Sequence, residues 1–247
     1  MKLIVLGSSS SGNGYILLDS SGEALVIEAG IKLLDLKKAL NFRINMVAGC
    51  LISHSHNDHA RHASEYQKTG MSLYMGVETR QQLFKEKQYY NIKELKEKEQ
   101  IVVGPFWIKP FLLAHDVANF GYLIHHYESG LICFLTDTHY CPFTFKGLNN
   151  ILMECNYSLD ILDKNTSQGY IPLLVRNRVI YSHMELQTVK DFLQANDLRK
   201  VNNIVLLHLS QGNSDQKQYI KDIRELTGKS VHIADRGLKI DLNRTAI

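Results

Sequence analysis

Cys50-Leu51-Ile52-Ser53-His54-Ser55-His56-Asn57-Asp58-His59 is the stretch that decides the fold of this chain. Its apolar first part is typical of a buried strand, and its second part places three imidazoles and one carboxylate within six residues. Imidazole and carboxylate are groups that bind zinc and similar divalent ions. Side chains two apart on an extended chain point the same way, so His54 and His56 face one point while Asp58 and His59 turn toward a second. Because such a cluster is costly to bury without a cation, we interpret it as a metal site.

The pattern His-x-His-x-Asp-His at the end of a strand resembles the hallmark of the metallo-β-lactamase superfamily. The resemblance implies a further histidine, a bridging aspartate and a last histidine, each following a later strand. The chain offers such residues in that order, because His115, Asp137 and His208 each close an apolar run. Any one of them alone is more often an ordinary core residue, but together with the hexapeptide they complete the set.

The resemblance also implies how these side chains share two divalent metal ions. The seven ligands form two sets and one shared residue: His54, His56 and His115 for one ion, Asp58, His59 and His208 for the other, and Asp137 bridging both. Two cations that share a carboxylate can also share a water, whose pKa then falls toward neutrality and makes hydroxide available as a nucleophile. Asp58 would also orient this hydroxide. Zinc, manganese and iron all suit these ligands, and the sequence does not choose between them.

Length and composition favour one domain over residues 1–247. The chain is 45% hydrophobic and 21% charged, with four prolines and no Gly/Ser linker. No apolar stretch approaches the ~20 residues that a membrane span needs, and residues 1–6 are too short for the apolar region of a signal peptide. We therefore expect a soluble, cytoplasmic protein with no membrane partner. The four cysteines lack Cys-x-x-Cys spacing and are expected to be reduced core residues.

Short apolar or alternating runs predict ten strands, at residues 2–6, 14–18, 24–28, 49–53, 106–113, 120–126, 130–135, 149–153, 203–207 and 230–233. Helical spacing predicts four helices, near residues 33–40, 77–87, 186–193 and 220–226, and Gly228 is a plausible stop for the last. The family resemblance, and not this periodicity, implies an α/β fold of four layers, the αββα sandwich, with the metal site at one edge between the two sheets. It also implies a closing strand near residues 234–240.

The stretch Gly7-Ser8-Ser9-Ser10-Ser11-Gly12-Asn13 joins the first two predicted strands. Such a turn is about equally typical of a tight hairpin and of a loop that offers amides and hydroxyls to an anion. It resembles the opening of the YycJ-like (WalJ-like) exonuclease branch of the superfamily. The segment His208-Leu209-Ser210-Gln211-Gly212-Asn213 is similar to the one that this branch carries at its last ligand. The resemblance therefore predicts phosphate contacts from Ser8, Ser9, Ser210 and Asn213.

The segment Ser182-His183-Met184-Glu185, with Glu154 upstream, resembles a pair found in ribonuclease Z and its relatives. There a glutamate holds a histidine that contacts the scissile phosphate or protonates the leaving oxygen. The resemblance implies these catalytic roles for His183 and Glu154, and a histidine held cationic by a carboxylate can supply both a proton and electrostatic stabilisation. The alternative is that His183 only caps a helix or lies on the surface.

The chain also departs from the family pattern. Glu28 stands where an aspartate is expected, and residues 156–182 resemble the family least, so that substrate choice can be encoded there. The interval between Asp137 and His208 is too short for the large domain that the β-CASP nucleases insert at this point. A net charge of +3 and a pI of about 8.5 permit a nucleic-acid partner without demanding one. Several isolated cations lie near the predicted site, namely Arg61, Lys146, Lys164, Arg176 and Arg178.

These observations predict a binuclear metal-dependent phosphodiesterase, with a DNA 5′-exonuclease or related nuclease as the favoured function. One alternative is a small-molecule hydrolase, such as a cyclic-phosphate phosphodiesterase or a glyoxalase-like thioesterase. Another is a non-catalytic module that binds nucleic acid or a metabolite. The sequence leaves open the metal, the choice between DNA and RNA, and the polarity of attack.

Overall fold

Two seven-stranded sheets are found in residues 1–85, 87 and 89–245, the part of the chain that the computed structural model describes. The strands, in chain order, are β1 (Lys2–Gly7), β2 (Gly14–Leu18), β3 (Ala24–Ile27), β4 (Val47–Leu51), β5 (Leu73–Gly76), β6 (Ile92–Leu95), β7 (Ile101–Val103), β8 (Phe106–Leu113), β9 (Asn119–His126), β10 (Gly130–Leu135), β11 (Leu148–Glu154), β12 (Asn203–Leu207), β13 (Ser230–Ile233) and β14 (Lys239–Asp241). The helices are α1 (Leu33–Ala39), α2 (Asn57–Ala60), α3 (Ala63–Lys68), α4 (Val77–Phe84), α5 (Leu159–Ser167), α6 (Leu173–Ser182), α7 (Leu186–Ala195) and α8 (Gln216–Thr227).

The two sheets are built alike. The first has the strand order β14-β1-β2-β3-β4-β5-β6, and the second has the order β13-β12-β11-β10-β9-β8-β7. Each sheet has three antiparallel pairs on one side and three parallel pairs on the other. The parallel strands are β3 to β6 in one sheet and β10 to β13 in the other. Because parallel strands end at the same edge of a sheet, the loops that follow them come together there.

The chain forms four layers, namely two sheets and the helices on their outer faces, and apolar side chains fill the three interfaces between them. Leu17, Phe106 and Tyr122 belong to the core between the sheets. Leu36 and Tyr66 pack from the helices onto the outer face of the first sheet, in a cluster that includes Ile16 and Val26. On the second sheet the outer layer comes from α7 and α8, through Leu186, Val189, Phe192, Leu193, Tyr219 and Ile223. This αββα arrangement confirms the predicted fold class.

The ten predicted strands are all present, and their ends differ from the predicted ones by at most two residues. The strand predicted at 49–53 is β4, which ends at Leu51, so that Ile52 and Ser53 already belong to the loop that carries the hexapeptide. The closing strand implied near residues 234–240 is shorter and lies later: it is β14, Lys239–Asp241, which pairs with β1 in the first sheet. Strands β5, β6 and β7 were not predicted.

Three of the four predicted helices, α1, α7 and α8, lie where the spacing placed them, and Gly228 ends α8 with a left-handed φ of 67°. The helix predicted at 77–87 is wrong at its C-terminal end. It stops at Phe84, because Lys85 adopts a φ of 53°, which the α-helix does not allow. Lys87 is not helical, and Glu86 lies outside the described residues. None of the described helices has the length and hydropathy needed to cross a membrane.

Candidate metal centre

Loops that follow the ends of four strands bring the predicted ligands together. The hexapeptide follows β4 and runs into the short helix α2, while His115, Asp137 and His208 follow β8, β10 and β12. Asp137 and His208 have left-handed φ values of 49° and 52°, which non-glycine residues adopt infrequently. The backbone therefore turns sharply at both residues, and both side chains end up buried in the site.

The first donor group consists of His54, His56, His115 and Asp137, whose ligand atoms all lie within 4.8 Å of one another. His56 Nδ1 is 3.2 Å from His115 Nε2, and His54 Nε2 is 3.9 Å from Asp137 Oδ2. His54 is fully buried, and its Nε2 has no hydrogen-bond partner among the described residues. A buried nitrogen of this kind is costly unless something binds it, and a divalent cation fits this donor set.

The second donor group consists of Asp58, His59, Asp137 and His208, again within 4.8 Å of one another. His59 Nε2 is 3.3 Å from Asp58 Oδ2 and 3.2 Å from Asp137 Oδ1. His208 Nε2 is 3.5 Å from Asp58 Oδ2. Asp137 belongs to both groups, which places its carboxylate where a bridging ligand would lie. All seven side chains that the sequence singled out as ligands are thus brought into one site.

The charges of the site favour cations. Burial opposes a charge on His208, but the carboxylates of Asp137 and Glu154 outweigh burial and raise the pKa of His208 to about 10. Burial likewise opposes a charge on His59, yet Asp137 and Glu28 raise its pKa well above the ordinary value. For His54, burial and the neighbouring His59 lower the pKa well below that value, so its imidazole is neutral. Metal ligands must give up their protons, so protons at His59 and His208 compete with a metal ion.

Two residues outside the donor groups hold the ligand imidazoles in place. Glu28 Oε1 lies 3.4 Å from His59 Nδ1, and Glu28 Oε2 accepts a hydrogen bond from the Ser53 backbone N–H at 3.3 Å. The Ser53 hydroxyl is 2.9 Å from His54 Nδ1. A carboxylate behind a ligating histidine fixes the orientation of its ring. The carboxylate of Glu28 therefore lies next to the ring of His59.

Two asparagines that the sequence analysis did not assign also support the centre. Asn13 is fully buried, and its side-chain amide donates to Asp58 Oδ2 at 3.1 Å. The amide of Asn119 donates to the backbone carbonyls of Thr136 and Asp137 at 2.9 and 2.7 Å, which holds the sharp turn at Asp137. Asn13 ends the Gly/Ser stretch that the sequence already singles out, so its link to the site could have been predicted from that motif. Asn119 begins β9 without any motif, and only the folded chain shows its contacts.

The four residues predicted to contact phosphate lie around the site. The Ser8 hydroxyl accepts a hydrogen bond from the His208 backbone N–H at 2.8 Å and lies 2.7 Å from the Tyr15 hydroxyl, so it also supports the last ligand. Ser9, Ser210 and Asn213 line a cavity of about 400 Å³ that His183 and His208 also line. Asn213 donates to the Ser210 hydroxyl at 3.2 Å. Phosphate binding by these residues stays a prediction.

Glu154 and His183 form a short pair beside the second donor group. His183 Nδ1 lies 2.6 Å from Glu154 Oε1, and the same oxygen is 3.2 Å from His208 Nδ1. The other carboxylate oxygen accepts hydrogen bonds from the N–H groups of Thr138 and Met184. Burial opposes a charge on His183, but Glu154 raises its pKa above the ordinary value. The His183 side chain is 20% exposed and faces the site, so it is not a surface residue at the end of α6.

The fold is the metallo-β-lactamase fold, and the two donor groups have the side chains that can hold divalent metal ions. Within that class, the chain resembles the WalJ and YycJ exonucleases. It is 25% identical to the exodeoxyribonuclease WalJ of Streptococcus pneumoniae over 97% of this chain and 91% of that protein. It is 24% identical to the exodeoxyribonuclease YycJ of Bacillus anthracis over 85% of this chain and 83% of that protein.

Solved structures agree on the fold. The metallo-β-lactamase fold protein YhfI from Bacillus subtilis superposes with a TM-score of 0.71 at 17% identity, over 97% of this chain and 99% of that one. No family model matches the chain.

Proposed function

We propose that this protein is a binuclear metal-dependent phosphodiesterase that degrades DNA from its 5′ end. The observation that carries the proposal is the pair of Glu154 and His183, 2.6 Å apart, beside two overlapping donor groups that share Asp137. A phosphodiester needs a proton on its leaving oxygen, and this pair supplies one at the edge of the centre. The names of the relatives, both exodeoxyribonucleases, support DNA as the substrate.

In the proposed mechanism, two divalent ions would occupy the two donor groups. His54, His56 and His115 would hold one ion, Asp58, His59 and His208 the other, and Asp137 would lie between them. When bound, such ions lower the pKa of a shared water and stabilise negative charge on phosphoryl oxygens. Zinc or manganese fits the nitrogen and carboxylate donors, and iron is a further choice.

The protein groups perform the remaining tasks. Glu154 accepts the hydrogen bond from His183 Nδ1, which leaves Nε2 as the ring nitrogen that presents a proton to the leaving oxygen. Asp58 Oδ2 lies 3.3 Å from His59 Nε2, and Asp58 would orient the attacking water. The hydrogen bond from the His208 backbone N–H to the Ser8 hydroxyl keeps the last ligand next to the Gly/Ser loop, where the substrate strand would pass.

The test compares two substrates whose leaving groups differ. The wild type, Asp137→Asn and His183→Ala are assayed with zinc or manganese on 5′-labelled DNA and RNA, and on bis(p-nitrophenyl) phosphate, whose leaving group needs no proton. Removing a general acid typically costs a factor of about 10²–10⁴. We expect His183→Ala to lose about this much on DNA and far less on the nitrophenyl ester, whereas Asp137→Asn loses activity on both.

The matched control is His62→Ala, because His62 follows the hexapeptide but pairs with Glu65 at 2.9 Å and belongs to neither donor group. Equal losses on both substrates for His183→Ala would show that this residue is not the general acid. Hydrolysis of the nitrophenyl ester with no cleavage of any polymer would favour a small phosphodiester substrate. Metal binding without hydrolysis of either would indicate a binding module.

A further inference from the structure

A cavity of about 400 Å³ opens beside His183, on the side of the metal centre where α6 lies. Three segments form its walls: α6 through Val175, Arg178 and Val179, the Gly/Ser loop through Ser9 to Ser11, and the loop from His208 to Asn213. We propose that this cavity binds the 5′-terminal nucleotide of the substrate, with its 5′-phosphate paired to Arg178. The proposal rests on the nuclease function proposed above and extends it to the recognition of the strand end.

The position of His183 shows which side of the scissile bond the cavity serves. His183 lines the cavity and, as the proton donor, would contact the leaving oxygen. The nucleotide that carries the leaving oxygen therefore lies next to His183. A hydrolysis that yields 5′-monophosphates breaks the P–O3′ bond, so the leaving O3′ belongs to the nucleotide on the 5′ side. When attack begins at the 5′ end, that nucleotide is the terminal one.

The lining of the cavity has the chemistry that one nucleotide requires. Val175 and Val179 offer an apolar wall to a base, and serine hydroxyls and the Asn213 amide offer polar contacts to a sugar. Arg178 supplies a permanent positive charge, and none of the described residues that line the cavity carries a carboxylate. Arg178 is exposed, so its guanidinium is free to turn toward a ligand phosphate.

Arg176, two residues earlier on the same helix, has a carboxylate partner and is not free to bind a phosphate. It donates to Asp163 at 2.6 Å and does not line the cavity. The volume matches the lower part of the range of ~300–1,000 Å³ in which small-molecule sites fall, so it suits one nucleotide better than a longer segment.

The reaction then prepares its own next substrate. The oxygen of water bonds to phosphorus, the P–O3′ bond breaks, and the proton of His183 goes to O3′. The products are one nucleoside 5′-monophosphate and a strand that is one nucleotide shorter and carries a new 5′-phosphate. The attacking water gives up one proton to solvent, and His183 takes up one proton from solvent, which restores its starting state. Arg178 would bind the new 5′-phosphate in the following cycle.

The experiment measures release of the first nucleotide from two DNA oligonucleotides that differ only in a 5′-phosphate or a 5′-hydroxyl. We expect the wild type to prefer the phosphorylated end by about tenfold or more in kcat/KM, mainly through KM, because charge-assisted hydrogen bonds are the stronger ones. Arg178→Ala should bring the ratio of the two rates close to one, and Arg178→Lys should keep part of it. Arg176→Ala is the matched control and should keep the wild-type ratio.

Because each variant is compared with itself on two substrates, a change in the amount of folded protein leaves the ratio unaffected. The assignment of Arg178 would be overturned if the wild type cleaved the 5′-phosphate and the 5′-hydroxyl substrates equally well. It would also be overturned if Arg178→Ala kept the preference for the 5′-phosphate. In either case the nuclease function would stand. A wild type that cleaves no DNA at all would overturn the function and the subsite together.

Discussion

Two glutamates outside the seven predicted ligands shape the metal centre at the level of single residues. One of them, Glu154, also forms a third group of possible donors with Asp137, His183 and His208, whose ligand atoms lie within 4.8 Å of one another. Glu28 and Glu154 are both fully buried, and each contacts a histidine that the site uses. Glu28 lies behind His59, and Glu154 lies between His183 and His208. A buried carboxylate without such partners would be costly, so each glutamate and its histidines stabilise one another. The two glutamates therefore fix ring orientations that the ligands alone would leave free.

Replacing Glu28 tests this support. Glu28→Gln keeps the size of the side chain and removes its charge, so the ring of His59 loses the carboxylate that orients it. Loss of such a partner typically weakens metal affinity by about 10–100-fold. We expect a decrease in this range in a competition titration against a chelating dye. Glu65→Gln, at an exposed glutamate on α3, is the control, and an unchanged affinity for Glu28→Gln would show that Glu28 has no such role.

At the level of elements, three loops of the first sheet pack with almost no free space. The loop after β3 lies directly against the hexapeptide at Gly30, where a Cβ atom would come within 1.8 Å of the Asp58 carbonyl oxygen and 2.7 Å of the Asn13 backbone nitrogen. Asn13 and Asp58 are also joined by a backbone hydrogen bond of 2.7 Å. The position of Asp58 therefore depends on a residue without a side chain.

Gly30→Ala should move the hexapeptide and lower stability. Overpacking of this kind costs about 1–3 kcal/mol, and for a chain of this length each kcal/mol changes Tm by about 2–4 °C. We expect a lower Tm in thermal unfolding together with a lower metal content. Gly212→Ala, where a Cβ atom meets nothing within 4 Å, should leave both unchanged. A Gly30→Ala variant with wild-type Tm and metal content would refute the packing argument.

The elements that the sequence did not predict have physical reasons for being missed. β6 is an edge strand with two exposed charged residues, which discourage pairing with another chain but hide the strand from a hydrophobicity pattern. Helix α6 buries only Ser182 and therefore has no apolar stripe to detect. This helix lines the proposed nucleotide cavity, so the least predictable segment is also the one that we connect with substrate choice.

At the level of the whole molecule, the site could be predicted better than the contacts that support it. The ligands could be found because each follows an apolar strand, and the ends of neighbouring strands share one edge. The hydrogen bonds from Asn119 and the contact between Ser8 and His208 depend on how the two sheets face each other, which local patterns do not encode. We also infer that residues 1–247 form one domain, because β14, near the end of the chain, pairs with β1.

The pH dependence of the metal-free protein follows from the histidines of the centre. The pKa of His208 is raised to about 10 and that of His59 is also raised, so their charged forms stabilise the folded state. This contribution is complete below the ordinary histidine pKa of about 6.5 and is lost as the pH rises through the folded-state pKa.

Urea unfolding in the presence of a chelator should therefore show a falling free energy of unfolding between pH 7 and pH 10. The variant His208→Gln should show a smaller decrease over the same range. A free energy of unfolding that is flat or rising with pH in the wild type would contradict the assigned direction of these pKa shifts.

We propose that hydrolysis needs two metal ions, held by two donor groups that share Asp137. The most direct measurement titrates the metal-free protein with manganese or zinc and follows, in the same samples, the metal bound per chain and the rate of bis(p-nitrophenyl) phosphate hydrolysis. We predict that the rate rises as the second ion binds and becomes constant at two ions per chain. A rate that is constant after one ion, or hydrolysis by the metal-free protein, would contradict the account.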